Sequence, residues 1–317
     1  MKIFSGQLPT PDRPGPAETE RRSPFRQGCR AGLRLIRAPN LLTAPGDPLA
    51  GAVLAGGPTL ATLPALGAAA VLYAGGVALN DVMDAAEDRV ERPDRPIPRG
   101  WLTRRAALAM AAALLGGGML LAFGAGRFSG EIALAIAGTV AAYDVRLKRT
   151  AVGPWCMGAC RGLSLWMGAA AAGAAIERPG AVAIAALGLT VYTAAITALS
   201  QTETAPRRVV RRRWAPAAAA LTCAALAGIE IGADPVGRGL GALLAAAAAA
   251  RAVGPAKRWN LAPPVERRRL TGQLVSGLFL LQGAFIACAG APFAIGGILW
   301  TLWAPLQRRA SIRWASD

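Results

Sequence analysis

The sequence predicts a helical protein that crosses a membrane many times. Three observations carry that expectation. Of 317 residues 54% are hydrophobic, and apolar runs close to the ~20 residues that a membrane helix needs recur from one end of the chain to the other. The polar residues are bunched into Arg-rich breaks between those runs instead of being spread over amphipathic faces. The formal net charge of +17 belongs to these breaks. No basic stripe with interleaved aromatics is present, so nucleic acid is not an expected partner. Histidine is absent, which excludes histidine acid-base catalysis, His-ligated metals and Ser-His triads. Cys29, Cys156, Cys160, Cys223 and Cys288 are scattered and read as small apolar packing residues. Cys156 and Cys160 are one turn apart but lack the further ligands of a zinc site.

Residues 1–30, rich in Pro, Arg and Gly, read as a disordered cytosolic tail without a cleavable signal peptide, and 31–317 as one membrane domain. A first apolar span at about 33–57 is interrupted by Pro39, Pro45, Asp47 and Pro48. A lipid-facing helix does not carry these residues, so this end is expected to border a polar cavity. The second span, about 59–82, leads into a run of acids. The third and fourth, about 106–126 and 128–143, form a hairpin whose turn holds Arg127 and Glu131. The fifth, about 152–176, contains Arg161; the sixth, seventh and eighth lie at about 181–199, 214–231 and 236–253. The last apolar region, about 270–306, has Gly290 and Pro292 in its middle. It is one long tilted helix, giving nine spans, or a hairpin of two short ones, giving ten. Runs such as 116–118 and 245–250 are small-residue packing surfaces.

Most Lys and Arg lie in the N-terminal segment and in the breaks at 83–105, 144–150, 201–213 and 251–269, whereas the opposite loops hold only Arg127, Arg178 and Arg238. Positive loops stay in the cytoplasm. The first set is therefore expected to face the cytoplasm, in a multi-pass protein of the plasma membrane. Arg308, Arg309 and Arg313 favour the same side and thus the hairpin.

The densest chemistry runs from Asn80 to Gly100. Asp81, Asp84, Glu87, Asp88, Glu91 and Asp94 cluster there out of 18 acidic residues in the chain. Asn80, Asp84 and Asp88 recur at i, i+4 and i+8, so a helix continuing through them sets oxygen ligands in one stripe. Mg²⁺ takes one or two carboxylates together with water and substrate phosphates. The expected ligand is a phosphate ester held through the metal. The plainer reading is a solvated acidic loop; the stripe, its place at the end of an apolar helix and the Pro-Arg segment behind it favour the site. Pro93, Pro96 and Pro98 predict an extended path past Arg92, Arg95 and Arg99, which brings cations beside the acids.

Two apolar spans later, Tyr143 and the run Asp144 to Thr150 return to the same side. Lys occurs only at 2, 148 and 257, so Lys148 stands where Arg would meet any need of topology. A compact ammonium that neutralises a phosphate oxygen is one reason; an ordinary cytosolic charge is the other. Tyr143 is an active-site or an interfacial aromatic. Arg161 inside an apolar span is costly unless it faces a cavity or a partner, or snorkels from a helix end. Gln201 to Thr204 forms a second polar cluster four spans after the first. Glu203 is its carboxylate.

At these residues the chain resembles the UbiA superfamily of intramembrane prenyltransferases. Asn80-x3-Asp84-x3-Asp88 followed by Arg92-Pro93-x-Arg95-Pro96-Ile97-Pro98-x-Gly100 is similar to that family's first aspartate motif, and Tyr143 with Leu147-Lys148-Arg149 to its loop after the fourth helix. The resemblance is nearest to the EboC-like branch through Met157-Gly158-x-Cys160-Arg161-Gly162-Leu163 and Ser200-x-x-Glu203. It implies an all-helical fold around a central cavity that binds an isoprenyl diphosphate through Mg²⁺ and alkylates a lipophilic aromatic or polyol acceptor in the bilayer. On that reading Asn80, Asp84 and Asp88 hold the metal with help from Glu203, and Arg95, Lys148, Arg161 and Arg207 neutralise phosphate. Asn40 and Asp47 orient the acceptor, with Tyr143 at the substrate. One departure stands out: the second motif has a single carboxylate, Glu203. That leaves open a carrier or assembly component that has lost catalysis, while Mg²⁺ carboxylates beside Arg also suit a lipid phosphotransferase. No oligomeric state is predicted.

Overall fold

The computed structural model describes residues 31–173, 176–203, 210–303 and 305. The expected tail at 1–30, Arg207, and Arg308, Arg309 and Arg313 lie outside the described residues. Among the described residues every regular element is helical. A single turn, Ala38–Leu41, precedes α1 (Gly46–Leu54), α2 (Thr62–Met83), α3 (Ala85–Glu91), α4 (Arg104–Ala125) and α5 (Arg127–Ala142). Then follow α6 (Gly153–Ala172), α7 (Pro179–Ser200), α8 (Ala215–Leu226), α9 (Pro235–Arg258), α10 (Pro264–Cys288) and α11 (Ala291–Thr301). A π-helical turn, Tyr143–Leu147, continues α5, and another, Ala227–Ile231, extends α8.

Local sequence explains where these helices begin and end. Helices α6 to α11 each carry proline in their first two positions, where the missing N–H costs no intrahelical bond. The hairpin between α4 and α5 turns on Gly126, at φ 147°, and α10 ends before Gly290, at φ 118°. Both conformations suit glycine. The last apolar region is therefore two helices. The first apolar span is broken as its prolines predict, into the turn Ala38–Leu41 and the nine-residue α1.

Seven described helices are long and apolar enough to cross a membrane: α2, α4, α5 with its π turn, α7, α8 with its flanking turns, α9 and α10. Helix α6 has 20 residues with Arg161 near its middle, while α11 has 11. Large apolar side chains such as Leu120, Phe128, Leu187, Leu221, Leu243 and Ile295 point outward, as lipid contact requires.

The two largest buried groups of the interior share α6. One joins α1 and α6 to α10 around Leu165, Tyr192, Leu281 and Phe285; the other joins α2, α4, α5 and α6 around Leu72, Ala122, Ile136 and Met167. Helix α10 is the most enclosed of the spans. Close backbone approach depends on small residues: a Cβ at Gly51 would overlap the Leu165 carbonyl, and one at Gly168 the backbone of Pro48. These two glycines bring α1 against α6 and so place Asp47 beside Arg161.

Candidate active site

The acidic segment is not one continuous helix. Helix α2 ends at Met83, Asp84 takes φ −82° and ψ 0°, and α3 restarts at Ala85. The Asp84 N–H still bonds the Asn80 carbonyl at 2.9 Å, and the Asp88 N–H the Asp84 carbonyl at 2.8 Å, so the register of the three predicted ligands survives. Their side chains are each held by a different partner. Asn80 Nδ2 donates to Asp144 Oδ1 at 2.8 Å, Asp84 pairs with Lys148, and Asp88 with Arg95 at 2.7 Å.

Arg95 is the hub of this end. The same Nη1 reaches Asp88 Oδ2 at 2.7 Å and Asp81 Oδ1 at 2.6 Å, and Arg37 reaches Asp81 Oδ1 from the other side at 3.2 Å. The loop that carries Arg95 is turned instead of extended. The Arg99 N–H bonds the Arg95 carbonyl at 3.0 Å, the Trp101 N–H bonds that of Pro96 at 3.0 Å, and Gly100 adopts φ 74°. The prolines remove only their own donors; the remaining N–H groups close turns, and the ion pairs draw the loop back over α3. Burial pushes the Asp88 carboxyl above the usual carboxylate range despite Arg95, and Asp81 and Asp84 add repulsion. Burial, with Arg37, pulls the Arg95 guanidinium below its ordinary value. Both partners are thus incompletely compensated.

The π turn accounts for the second predicted run. Its wider ring, closed by the Lys148 N–H on the Tyr143 carbonyl at 2.9 Å, buries Tyr143 and Asp144 while leaving Lys148 free to reach Asp84. Gln201 Nε2 donates to the Lys148 carbonyl at 3.0 Å, tying the end of α7 to this turn. Glu203 is buried and accepts from Thr271 Oγ1 at 2.6 Å. Arg267, itself buried, holds the Thr202 carbonyl at 3.1 Å. Among the described residues no group of three or more acids or cysteines is arranged to hold a metal.

Below the acidic end lies a cavity of about 320 Å³. Asn80, Tyr143, Asp144 and Arg37 line one part of it, apolar Leu72, Ile136, Val140 and Leu278 its walls, and Thr43, Asp47, Arg161 and Ser164 the rest. Arg161 Nε stands 3.1 Å from Asp47 Oδ2, and its Nη2 donates to the Thr43 carbonyl at 3.3 Å. Gln282 donates to Asp47 Oδ1 at 2.7 Å and accepts from Trp300 Nε1 at 2.9 Å. Asn40 sits in the turn between Arg37 and Thr43, and its carbonyl accepts from Thr43 Oγ1 at 2.9 Å.

Of the predicted site residues, the structure brings Asn80, Tyr143 and Arg161 to one cavity and sets Asp84, Asp88, Arg95 and Lys148 in the ion pairs beside Asn80, whereas Asn40 and Glu203 are not among the residues lining the cavity. The sequence reading overlooked Asp81, Asp144, Arg37 and Gln282. Asp81 was visible in the acidic window but fell outside the i, i+4 stripe. Asp144 follows Tyr143 directly, and only the π turn reveals that both are buried.

Long apolar helices with carboxylates and arginines gathered at one end of an apolar-walled cavity define an integral membrane protein with a polar site at that end. The UbiA prenyltransferase family matches residues 48–269, and the chain belongs to it. Digeranylgeranylglyceryl phosphate synthase of Ignicoccus hospitalis is 40% identical over 121 residues, which are 38% of this chain and 40% of that protein. That of Methanoculleus marisnigri is 45% identical over 78 residues, 25% of this chain and 28% of that one. The matched part is less than half the length of either relative. A UbiA homologue from Archaeoglobus fulgidus, solved with GPP and Mg²⁺, superposes with a TM-score of 0.63 at 17% identity over 88% of this chain and 99% of that one. A digeranylgeranylglyceryl phosphate synthase structure gives 0.56 at 17% identity over 83% and 98%. At these identities the likeness is one of fold.

Proposed function

We propose that the chain binds an isoprenyl diphosphate through Mg²⁺ at the acidic end of the cavity and transfers the isoprenyl group to a lipophilic aromatic or polyol acceptor. The observation that carries this reading is the convergence of Asp81 and Asp88 on one Arg95 nitrogen, next to the Asp84 and Lys148 pair. Hard oxygen donors converge where a cation already sits, a donor set that fits Mg²⁺. Asn80, Asp84 and Asp88, assisted by Glu203, would hold the metal, which supplies charge neutralisation to the diphosphate when bound.

Arg95 and Lys148, released from their carboxylates, then turn to phosphate oxygens, with Arg207 a further phosphate contact. As the carbon-oxygen bond breaks, its electron pair stays on the diphosphate, where these fixed cations meet the growing charge. The allylic cation forms against Leu72, Ile136 and Val140, which keep water away, and the acceptor attacks it and gives up a proton to the departing diphosphate. Tyr143 and Asn40 border the substrates. Arg161 belongs to the acceptor side on this reading, because Asp47 answers its charge. The basic breaks support an acidic end that faces the cytoplasm, with α6 a further crossing beyond the seven apolar ones and the plasma membrane as the proposed location. The relatives, named for a geranylgeranylated glyceryl phosphate, support an isoprenyl donor and a polyol acceptor, while Arg161 and Glu203 keep the resemblance to the EboC-like branch.

One observation favours a second reading. Glu203 is bonded to Thr271, as a catalytically silent carrier on the same fold would allow. The test is turnover by the purified protein in lipid nanodiscs with geranylgeranyl diphosphate, Mg²⁺ and a panel of aromatic and polyol acceptors. A prenylated product with equimolar diphosphate, abolished by EDTA, is expected. Donor binding without product would favour the carrier, and phosphate appearing on the acceptor would make the protein a phosphotransferase.

A further inference from the structure

Asn80 in α2 and Asp84 just beyond it are four residues apart, and so are their partners Asp144 and Lys148. Both contacts span 64 positions of sequence, so they form successive rungs between two chain segments that run the same way. The rungs differ in chemistry. Lys148 holds an Asp84 oxygen and Arg95 an Asp88 oxygen. A metal needs these atoms, so both cations must give way when it binds. Asp144 instead holds Asn80 by its nitrogen, Nδ2 to Oδ1 at 2.8 Å, the end of the amide that ligates no metal. That contact is compatible with a bound ion.

An ionised carboxylate only accepts hydrogen bonds, whereas an asparagine amide presents an oxygen on one side and an NH₂ group on the other. Fixing Nδ2 against Asp144 therefore turns Asn80 Oδ1 away from it. Among the described residues none donates to that oxygen, it is not sealed from the cavity, and Asn80 is part of the cavity lining. Without Asp144 the amide is free to flip and to present its N–H groups to a cation, which they repel. The acceptor is itself held in place: the π turn around it is closed by the Lys148 N–H on the Tyr143 carbonyl at 2.9 Å, and Asp144 is 9% exposed. Partners that orient a metal ligand in this way are worth about 10–100-fold in affinity.

We propose that Asp144 is a positioning residue of the metal site, acting through Asn80 by fixing its amide with the oxygen free for the ion. The proposal rests on the Mg²⁺ reading of the acidic end. Its test is the Mg²⁺-dependent dissociation constant of geranyl diphosphate, measured by calorimetry without acceptor, for wild type, Asp144→Asn, Asn80→Asp and the two combined. Asp144→Asn donates as well as accepts, which lets the amide at 80 flip, and is expected to weaken binding by about threefold or more. Asn80→Asp sets two carboxylates against each other and is expected to weaken it by about tenfold or more, whereas charge alone would make an added carboxylate tighten a cation site. In the double variant the pair is reversed, the amide at 144 donating to the carboxylate at 80. Binding is then expected to return to within about threefold of wild type. Net charge is the same in the double variant and the wild type, so recovery reports orientation. Asp144→Ala, which removes the acceptor without setting like charges together, is expected to weaken binding about tenfold and serves should Asn80→Asp not fold. Thermal melts accompany each titration, because a contact that serves packing alone would move the melting temperature and leave the dissociation constants equal. Equal constants, tighter binding by Asn80→Asp, or a double variant no better than its weaker parent would each overturn the proposal and leave the functional reading standing. Absence of Mg²⁺-dependent binding to the wild type would overturn both.

Discussion

Lys148 hydrogen-bonds Asp84, joining the turn after α5 to the end of α2 across 64 positions of sequence. The side chains of this pair are 31% and 15% exposed, so the contact is open to water and to competing ions. Its contribution to stability is small, below about 1 kcal/mol. Its proposed role is to hold an ammonium ready for phosphate. Lys148→Met is therefore expected to leave the melting temperature nearly unchanged and to lower kcat/KM for the isoprenyl diphosphate by about 100-fold or more. Lys148→Arg, which keeps the charge but changes its shape, should fall between. Steady-state kinetics beside thermal melts distinguish these effects.

Arg95 binds two buried carboxylates at once, so its removal has a structural cost. Arg95→Ala leaves Asp88 without its ion pair and Asp81 with the 3.2 Å contact of Arg37 alone among those described, at a cost of about 3 kcal/mol. If these oxygens can hold Mg²⁺, the ion replaces the missing charge. Millimolar Mg²⁺ is then expected to raise the melting temperature of Arg95→Ala more than that of the wild type. Equal shifts would argue that the two carboxylates do not bind the metal.

The membrane fold and the acidic segment were legible in the sequence because both are local patterns. Span length, Arg-rich breaks and the spacing of Asn80, Asp84 and Asp88 need no knowledge of packing. The partners were not legible. Gln282 reaches Asp47 across 235 positions, and no periodicity announces such a contact. The π turn that buries Asp144 with Tyr143, and the interruption at Asp84, depend on how α2, α5 and α6 meet. The extended path expected for 92–100 failed because proline forbids helix without requiring extension; the free N–H groups around it still closed turns.

Gly51 and Gly168 set the distance between α1 and α6. Ala at either site would press a methyl group into the backbone of the other helix. Gly168→Ala is expected to destabilise the protein by about 1–3 kcal/mol and to weaken acceptor binding by parting Asp47 from Arg161. Gly116→Ala, whose Cβ would meet nothing within 4 Å, is the control and should do neither.

Asp234 ties two helix starts together at the opposite end. Its Oδ1 accepts from the Gly237 N–H at 2.7 Å and its Oδ2 from the Ala291 N–H at 2.9 Å, capping α9 and the start of α11. These backbone bonds hold its carboxyl below the ordinary range. A depressed carboxyl contributes stability above the unfolded value, near pH 4, and loses it as pH falls through the folded one. Asp234→Ala is expected to melt lower than wild type at neutral pH, with the gap closing as the pH drops below about 4.

The central claim is that the acidic end binds an isoprenyl diphosphate through Mg²⁺. Calorimetric titration of the purified protein with geranyl diphosphate, with and without Mg²⁺, tests it directly when paired with the Asp84→Ala/Asp88→Ala double variant. Binding that requires Mg²⁺ and disappears in the double variant is the predicted result. Absence of binding to the wild type, or binding that persists without both aspartates, would contradict the account.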